Sequence, residues 1–514
     1  MNIAEHAISA PDSTALTVAE ADTVSYGELF ARSQRVAALL HDAGLRRGDG
    51  VALVLPNRAE FFEITWGCQL SGLYYSAINT HFTPDEVAYV VADSDARAIF
   101  IDASMTELGE RILQASDIVE GVDVHVSVGG PQPGWRCYAD AVAEAGCAPT
   151  ISDGSEMLYS SGTTGRPKAV RRPLPEDGQG SWAQKVLEYS LAQRYDMTPS
   201  SVYLSPAPLY HAAGINYTMA VHRVGATSIL MPRFDAETVL RLIEEHRVTH
   251  AQFVPTMFVR MLKLPEDVRA KYDVSSLRCV IHAAAPCPVD VKHRMMDWFG
   301  PIIHEYYGGT EGFAGTIIGP EEWLAHPGSV GRPFSPVHVV GEDGAELPVG
   351  ESGELFFEGG PEFEYFKDPA KTASVSNDRG WRSLGDMGYV DDDGYLYLTD
   401  RSTFMIVSGG VNIYPQEAEN VLVMHPKLVD AAVFGVPNDE FGEEVKAVVQ
   451  AADGVKTGPA LEAELIEHCR ANLATYKCPR SIEFDSALPR DANGKLYKRR
   501  IRDPYWQGRP SRIL

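Results

Sequence analysis

Tyr159 to Val170 read YSSGTTGRPKAV, with two serines, two threonines, two glycines and a lysine in one short stretch. Glycines let a backbone approach phosphate closely, and hydroxyls and amides donate to its oxygens. Lys168 adds positive charge, and Pro167 discourages helix there. This is not a Walker A loop, which needs Gly-Lys-Ser/Thr opening a helix; Arg166-Pro167-Lys168 holds that place. Taken alone, the stretch fits either a phosphate-holding loop or an ordinary flexible Gly/Ser loop.

Upstream of it, strand-like and helix-like patterns alternate. Val51 to Leu55 (VALVL) is a short apolar run closed by Pro56 and Asn57, and Arg58 to Leu70 reads as a helix with an apolar face. Ala96 to Ile101 is a second buried-strand pattern, and the type recurs at 201–204, 227–231 and 279–282. Such alternation predicts an α/β layered architecture with a mainly parallel sheet. After about Arg332 the texture changes. Short strands are expected at 338–340, 353–357 and 395–398, separated by turns such as Glu342-Asp343-Gly344, so a small β-rich subdomain is expected. A last α+β segment starts near Ser402, with helices over 415–424 and 460–472 and a strand over 431–434. The division expected is 1–401 and 402–514.

Four further stretches carry chemistry. Glu305 to Gly312 read EYYGGTEG; a carboxylate beside a glycine-opened backbone suits Mg²⁺ carrying a nucleotide, and a turn with a solvated Glu311 fits equally. His304-Glu305 is not HExxH, so zinc hydrolysis has no support. Asp386 in RSLGDMG is suited to accept both hydroxyls of a ribose, or is a turn-former. Ser408 to Glu419 (SGGVNIYPQEAE) pair a Gly-Gly turn with a helix started by Pro415. Pro489 to Arg500 (PRDANGKLYKRR) place Lys495 at the tip of an Asn-Gly turn, followed by a basic run that reads as a solvated face.

The chain has 514 residues, 45% of them hydrophobic, enough for several cores. Its net charge of −25 argues against a nucleic-acid or anionic-membrane surface. The seven cysteines are widely spaced and form no CxxC, as expected of reduced thiols. The N-terminus lacks a basic n-region and no stretch of about 18 apolar residues occurs. A cytoplasmic protein without membrane partners is expected.

Together and in this order, the five stretches resemble the adenylate-forming superfamily of acyl-CoA synthetases, luciferase and peptide-synthetase adenylation domains. Within it, the chain looks like the bacterial acyl-CoA ligase branch. The resemblance implies a large N-terminal adenylation domain and a small mobile C-terminal domain. It implies ATP, Mg²⁺ and coenzyme A as reaction partners of a small carboxylic acid, and leaves a homodimer open. The acid is joined to AMP with loss of pyrophosphate, then passed to CoA; an amine or a separate carrier protein is the alternative acceptor.

The resemblance also implies roles. Ser160, Ser161, Gly162, Thr163, Thr164, Gly165 and Lys168 belong to the mobile loop over the β- and γ-phosphates. Thr310 contacts the α-phosphate region and Glu311 binds Mg²⁺. Tyr307 and Gly308 lie against the adenine, with Ala284, Ala285 and Pro286 on its other side. Asp386, helped by Arg401, takes the ribose hydroxyls. Lys495 bridges the substrate carboxylate and the α-phosphate. His211 gates between acyl pocket and CoA tunnel, and Gly409 and Gly410 line the pantetheine tunnel after domain rotation. One position departs from the pattern: Thr403 stands where relatives carry a charged hinge, and Phe404 follows where Asp is common. The acyl pocket is expected from 210–214, 253–258, 283–285 and 308–313. These are Ala- and Gly-rich segments that suit a medium-chain, cyclic or polycyclic acid, unless Phe253, Phe258 and Phe313 fill the space.

Overall fold

A computed structural model describes residues 3–19, 23–115, 121–147, 152–160, 167–175, 181–401, 404–408, 411–438, 440–490 and 496–507. Among the described residues, five sheets build the fold. The VALVL run becomes strand Gly50–Val54, paired in parallel with Tyr74–Ala77 and Ala96–Asp102 in a six-stranded, all-parallel sheet. Every residue of Gly50–Val54 is buried, as expected of a strand covered on both faces. The predicted helix forms as Ala59–Leu70 and packs against helix Tyr26–Asp42, which starts on a Ser25/Glu28 capping box.

A nine-stranded sheet follows. Val202–Ser205, His250–Phe253, Cys279–His282 and Ile303–Gly308 run parallel, and Gly315–Ile318 and Arg332–Pro333 add an antiparallel edge. The expected β-rich region is a four-stranded antiparallel sheet of Val337–Val340, Gly353–Phe357, Arg382–Val390 and Leu396–Arg401. Here Asp386 lies within a strand and is buried, so the turn-former reading fails. A three-stranded sheet carries Leu158–Ser160, Lys168–Arg171 and Glu364–Tyr365, so Lys168 opens a strand.

The C-terminal region holds a five-stranded sheet centred on Gly442–Ala451, with helices Pro415–Val423 and Pro459–Asn472 sharing one core with it. Its described junction with the larger part mixes polar and apolar contacts, with Val423 and Met424 packed against a core cluster of the larger part. Lys263 Nζ donates to the carbonyl of Val423 at 3.0 Å, at the end of helix Pro415–Val423, where a cation is favourable. Tyr414 Oη reaches Ser352 Oγ at 3.4 Å. The basic run is not wholly solvated: Lys498 is buried against Glu419 at 2.7 Å. All seven cysteines are free. Among the described residues, no helix is long and apolar enough to cross a membrane.

Candidate active site

A cleft of about 1300 Å³ opens where the carboxyl ends of the parallel strands meet the β-rich sheet and the C-terminal region. His211 follows strand Val202–Ser205, the Ala284-Ala285-Pro286 segment follows Cys279–His282, and Gly308 ends Ile303–Gly308. These five residues line the cleft with Lys168, Tyr307, Thr310, Glu311 and Asp386. Segments remote in sequence thus meet because parallel strands expose their outgoing loops at one edge.

Strand alternation separates two sides of this cleft. Tyr306 and Tyr307 are neighbours, so their rings point to opposite faces of the sheet. Tyr307 packs near Phe357, ring centroids 6.3 Å apart, and donates to Asp386 Oδ2 at 2.8 Å. Asp386 is directly opposite Arg401 in the strand register, bringing together two residues 15 positions apart in sequence. On the other side, Tyr306 stacks on Tyr217 at 5.3 Å.

Glu311 is buried, and its Oε1 accepts the Tyr365 hydroxyl at 2.7 Å. A solvated Glu311 is therefore excluded. Gly309 leaves room beside it: a Cβ there would lie 2.6 Å from Glu311 Oε2 and would displace the carboxylate or the Leu384 side chain. Among the described residues no cation pairs with Glu311. Tyr365 sits on the strand next to Lys168–Arg171, so the sheet that carries Lys168 also orients Glu311. Lys168 Nζ lies 3.6 Å from Asp368 and 5.9 Å from the Tyr365 ring. Arg172 joins the same assembly: Nη1 donates to Glu156 at 2.9 Å and Nη2 to the Thr310 carbonyl.

Near the Ala284-Ala285-Pro286 segment, Lys292 Nζ donates to Glu305 Oε2 at 2.6 Å and His282 Nε2 stands 3.3 Å from the same oxygen. Burial pushes the Glu305 carboxyl up, but His282 and Lys292 outweigh it and hold it well below the usual carboxylate range. Tyr365, Arg172, Glu156 and Lys292 had no signal in sequence, because each acts through a partner from a distant segment.

Of the segments expected to wall an acyl pocket, only part lines the cleft. Phe253 and Phe258 do not fill the cleft; they pack in the core, rings 5.8 Å apart, and Pro255 and Thr256 line the cavity instead. Phe313 lines it as expected. Val186, Leu187, Asn216, Tyr217, Tyr306 and Ile317 are walls that the sequence did not reveal.

Ser161, Gly162, Thr163, Thr164, Gly165, Thr403, Gly409, Gly410 and Lys495 lie outside the described residues. Ser160 and Arg401 enter as strand backbone. Arg490 and Leu496, which flank 491–495, line the cleft.

The AMP-binding enzyme family matches residues 3–362, and the AMP-binding enzyme C-terminal domain matches residues 417–495. A feruloyl-CoA synthase from Amycolatopsis sp is 34% identical over 93% of this chain and 93% of its own. The o-succinylbenzoate CoA synthetase MenE from Bacillus subtilis, solved with the acyl-adenylate intermediate OSB-AMP, superposes with a TM-score of 0.79 at 28% identity, covering 97% of both chains. The amide bond synthetase McbA from Marinactinospora thermotolerans superposes with a TM-score of 0.80 at 27% identity, covering 98% of this chain and 99% of its own.

Proposed function

The chain belongs to the AMP-binding enzyme family, and on that premise we propose that it is an acid–thiol ligase that makes an acyl-CoA through an acyl adenylate. The observation that carries this reading is the convergence of Asp386, Tyr307, Glu311 and Lys168 on one cleft with His211 and an apolar side. A relative named feruloyl-CoA synthase and a neighbour solved with an acyl adenylate support it.

A carboxylate acylates poorly because its leaving group is oxide. Its oxygen attacks the α-phosphorus, the bond to pyrophosphate breaks, and the acid then carries AMP as a good leaving group. Two anions must meet, so positioning and charge neutralisation supply most of the rate. In this reading Asp386 accepts the ribose hydroxyls while Tyr307 steadies its carboxylate, and Lys168 with its loop holds the leaving phosphates. Glu311 would hold Mg²⁺, a role that suits a buried carboxylate with which no described cation pairs, since Mg²⁺ takes most of its oxygens from phosphate and water. Bound there, Mg²⁺ offsets charge on the phosphates. Lys495 bridges the two anions; the cleft-lining positions of Arg490 and Leu496 on either side of its segment support this. A thiol next attacks the acyl carbonyl and AMP leaves, with Gly409 and Gly410 along its approach and His211 as the gate.

We place the unit boundary at 401/402, because strand Leu396–Arg401 completes the four-stranded sheet while Ile406–Ser408 pairs within the C-terminal sheet. A cytoplasmic location completes the reading. The fold shared with an amide bond synthetase favours one alternative, an amine acceptor after the same first step.

Supplying CoA or amines with ATP and an acid panel, and identifying the product by mass, separates the two; an amide but no thioester would overturn the ligase reading. Lys495→Ala is expected to lower acyl-AMP formation at least a hundredfold and spare thioester formation from supplied acyl-AMP. Equal loss of both steps would remove Lys495 from its assigned role.

A further inference from the structure

The inner wall of the cleft, away from Asp386, has a composition of its own. It is built by helix Trp182–Tyr189 and its extension, helix Ala212–Val224, and strands Ile303–Gly308 and Gly315–Ile318. Val186, Leu187 and Ile317 make it apolar, yet Asn216, Tyr217 and Tyr306 bring an amide and two phenols into it. From His211, at the start of its helix, Tyr217 is six positions on, roughly 9 Å deeper along the helix axis.

The Tyr306 phenol is oriented from behind. Tyr203 Oη donates to Gln252 Oε1 at 3.0 Å, and Gln252 Nε2 donates to Tyr306 Oη at 3.2 Å. With its oxygen already accepting, Tyr306 keeps its proton for Tyr217 or for a molecule in the cleft. Tyr217 and Tyr306 share a buried cluster with Tyr195 and Tyr203, and burial pushes all four phenols up, so they remain neutral donors at physiological pH. Every cleft-lining residue on the helices Trp182–Tyr189 and Ala212–Val224 and on strand Gly315–Ile318 is uncharged. Glu305, adjacent to Tyr306, points to the opposite sheet face, where Lys292 takes it.

We infer that this wall selects carboxylic acids whose far end carries an uncharged oxygen function, a hydroxyl, ether or carbonyl, over acids ending in plain hydrocarbon or in a second carboxylate. The inference rests on the proposed acid activation and names its substrate class. A hydrocarbon end offers the Asn216 amide and the Tyr306 proton no acceptor from the acid, and a carboxylate end is buried against this wall without a cation. A neutral oxygen meets the Tyr306 proton and the Asn216 amide while the ring or chain behind it lies on Val186, Leu187 and Ile317.

The test measures kcat/KM for ATP-dependent pyrophosphate release with cinnamate, 4-hydroxycinnamate and 4-carboxycinnamate, and with hexanoate and 6-hydroxyhexanoate. In at least one series the hydroxylated acid is expected to exceed its plain counterpart about tenfold, with the dicarboxylate slowest. That ratio is expected to fall towards one in Tyr306→Phe and Tyr217→Phe. Both variants keep the ring; Tyr217→Phe covers the case in which an unpaired Gln252 amide unfolds Tyr306→Phe. Plain acids preferred in both series, a dicarboxylate turned over best, or a ratio unchanged in folded variants would overturn the inference and leave acid activation standing. Pyrophosphate release with none of the acids would overturn both.

Discussion

Glu311 and Ala284 show how single side chains at the cleft are constrained. Tyr365 holds Glu311 Oε1, and Oε2 lies over Gly309, so the carboxylate has a fixed direction before any ligand arrives. Glu311→Gln keeps that shape and removes the charge. It is expected to raise the Mg²⁺ concentration needed for half-maximal pyrophosphate release by tenfold or more; an unchanged Mg²⁺ curve in a folded variant would sink the assignment. Ala284 has φ +75, a left-handed conformation that costs an L-residue about 1–2 kcal/mol. Ala284→Gly is expected to be neutral or stabilising by up to about 1 kcal/mol, and Ala284→Val to cost about 2 kcal/mol, because a β-branched side chain tolerates this region least. Thermal melting of both variants checks the order, and a valine variant as stable as the parent would contradict it. At these positions the sequence showed which residues stand at the cleft but not their state. Glu311 was compatible with solvent until Tyr365, 54 positions away, was seen to bind it.

Strands and helices were the most legible features. The apolar runs at 51–55, 96–101 and 279–282 all became buried strands, and the helix expected over 460–472 became Pro459–Asn472. Asp386 misled because a glycine precedes it and another follows two positions later, yet Arg382–Val390 is a strand whose cross-strand pairing overrides turn propensity. Between strand Leu396–Arg401 and strand Ile406–Ser408 lies Thr403, the proposed hinge. Proline there fixes φ near −65° and removes an amide donor. Thr403→Pro is expected to permit a single turnover of pyrophosphate release and to slow acyl-AMP consumption by CoA at least tenfold. Thr403→Asp is expected to retain both steps. Rapid-quench measurement of acyl-AMP decides this; normal consumption in the proline variant would place the hinge elsewhere.

Stability of the larger part depends on a neutral histidine in its core. His222 is fully buried, Trp66 Nε1 donates to its Nδ1 at 3.2 Å, and its Nε2 faces Ser228 Oγ at 2.8 Å. Burial holds its pKa down to about 3. The unfolded chain takes this proton near pH 6.5, so the stabilisation is complete above that pH and is lost as pH falls towards 3, at about 1.4 kcal/mol per pH unit. His222→Gln is expected to flatten the loss between pH 6 and pH 4 in denaturant titrations. Equal slopes for both proteins would show that His222 is not responsible.

The sequence by itself determined the α/β class, the order of the subdomains and the residues at the rim of the cleft. The first two follow from local patterns of apolar runs and turn residues, and the rim residues from the family resemblance that five short stretches carry. Tertiary structure alone decided which partner steadies each of them. Tyr365 on Glu311, Arg172 on Thr310 and Gln252 on Tyr306 each join separate segments. It also turned Tyr306 and Tyr307 to opposite sides of the cleft, because strand register, set by burial of whole sheets, fixes which face each side chain takes.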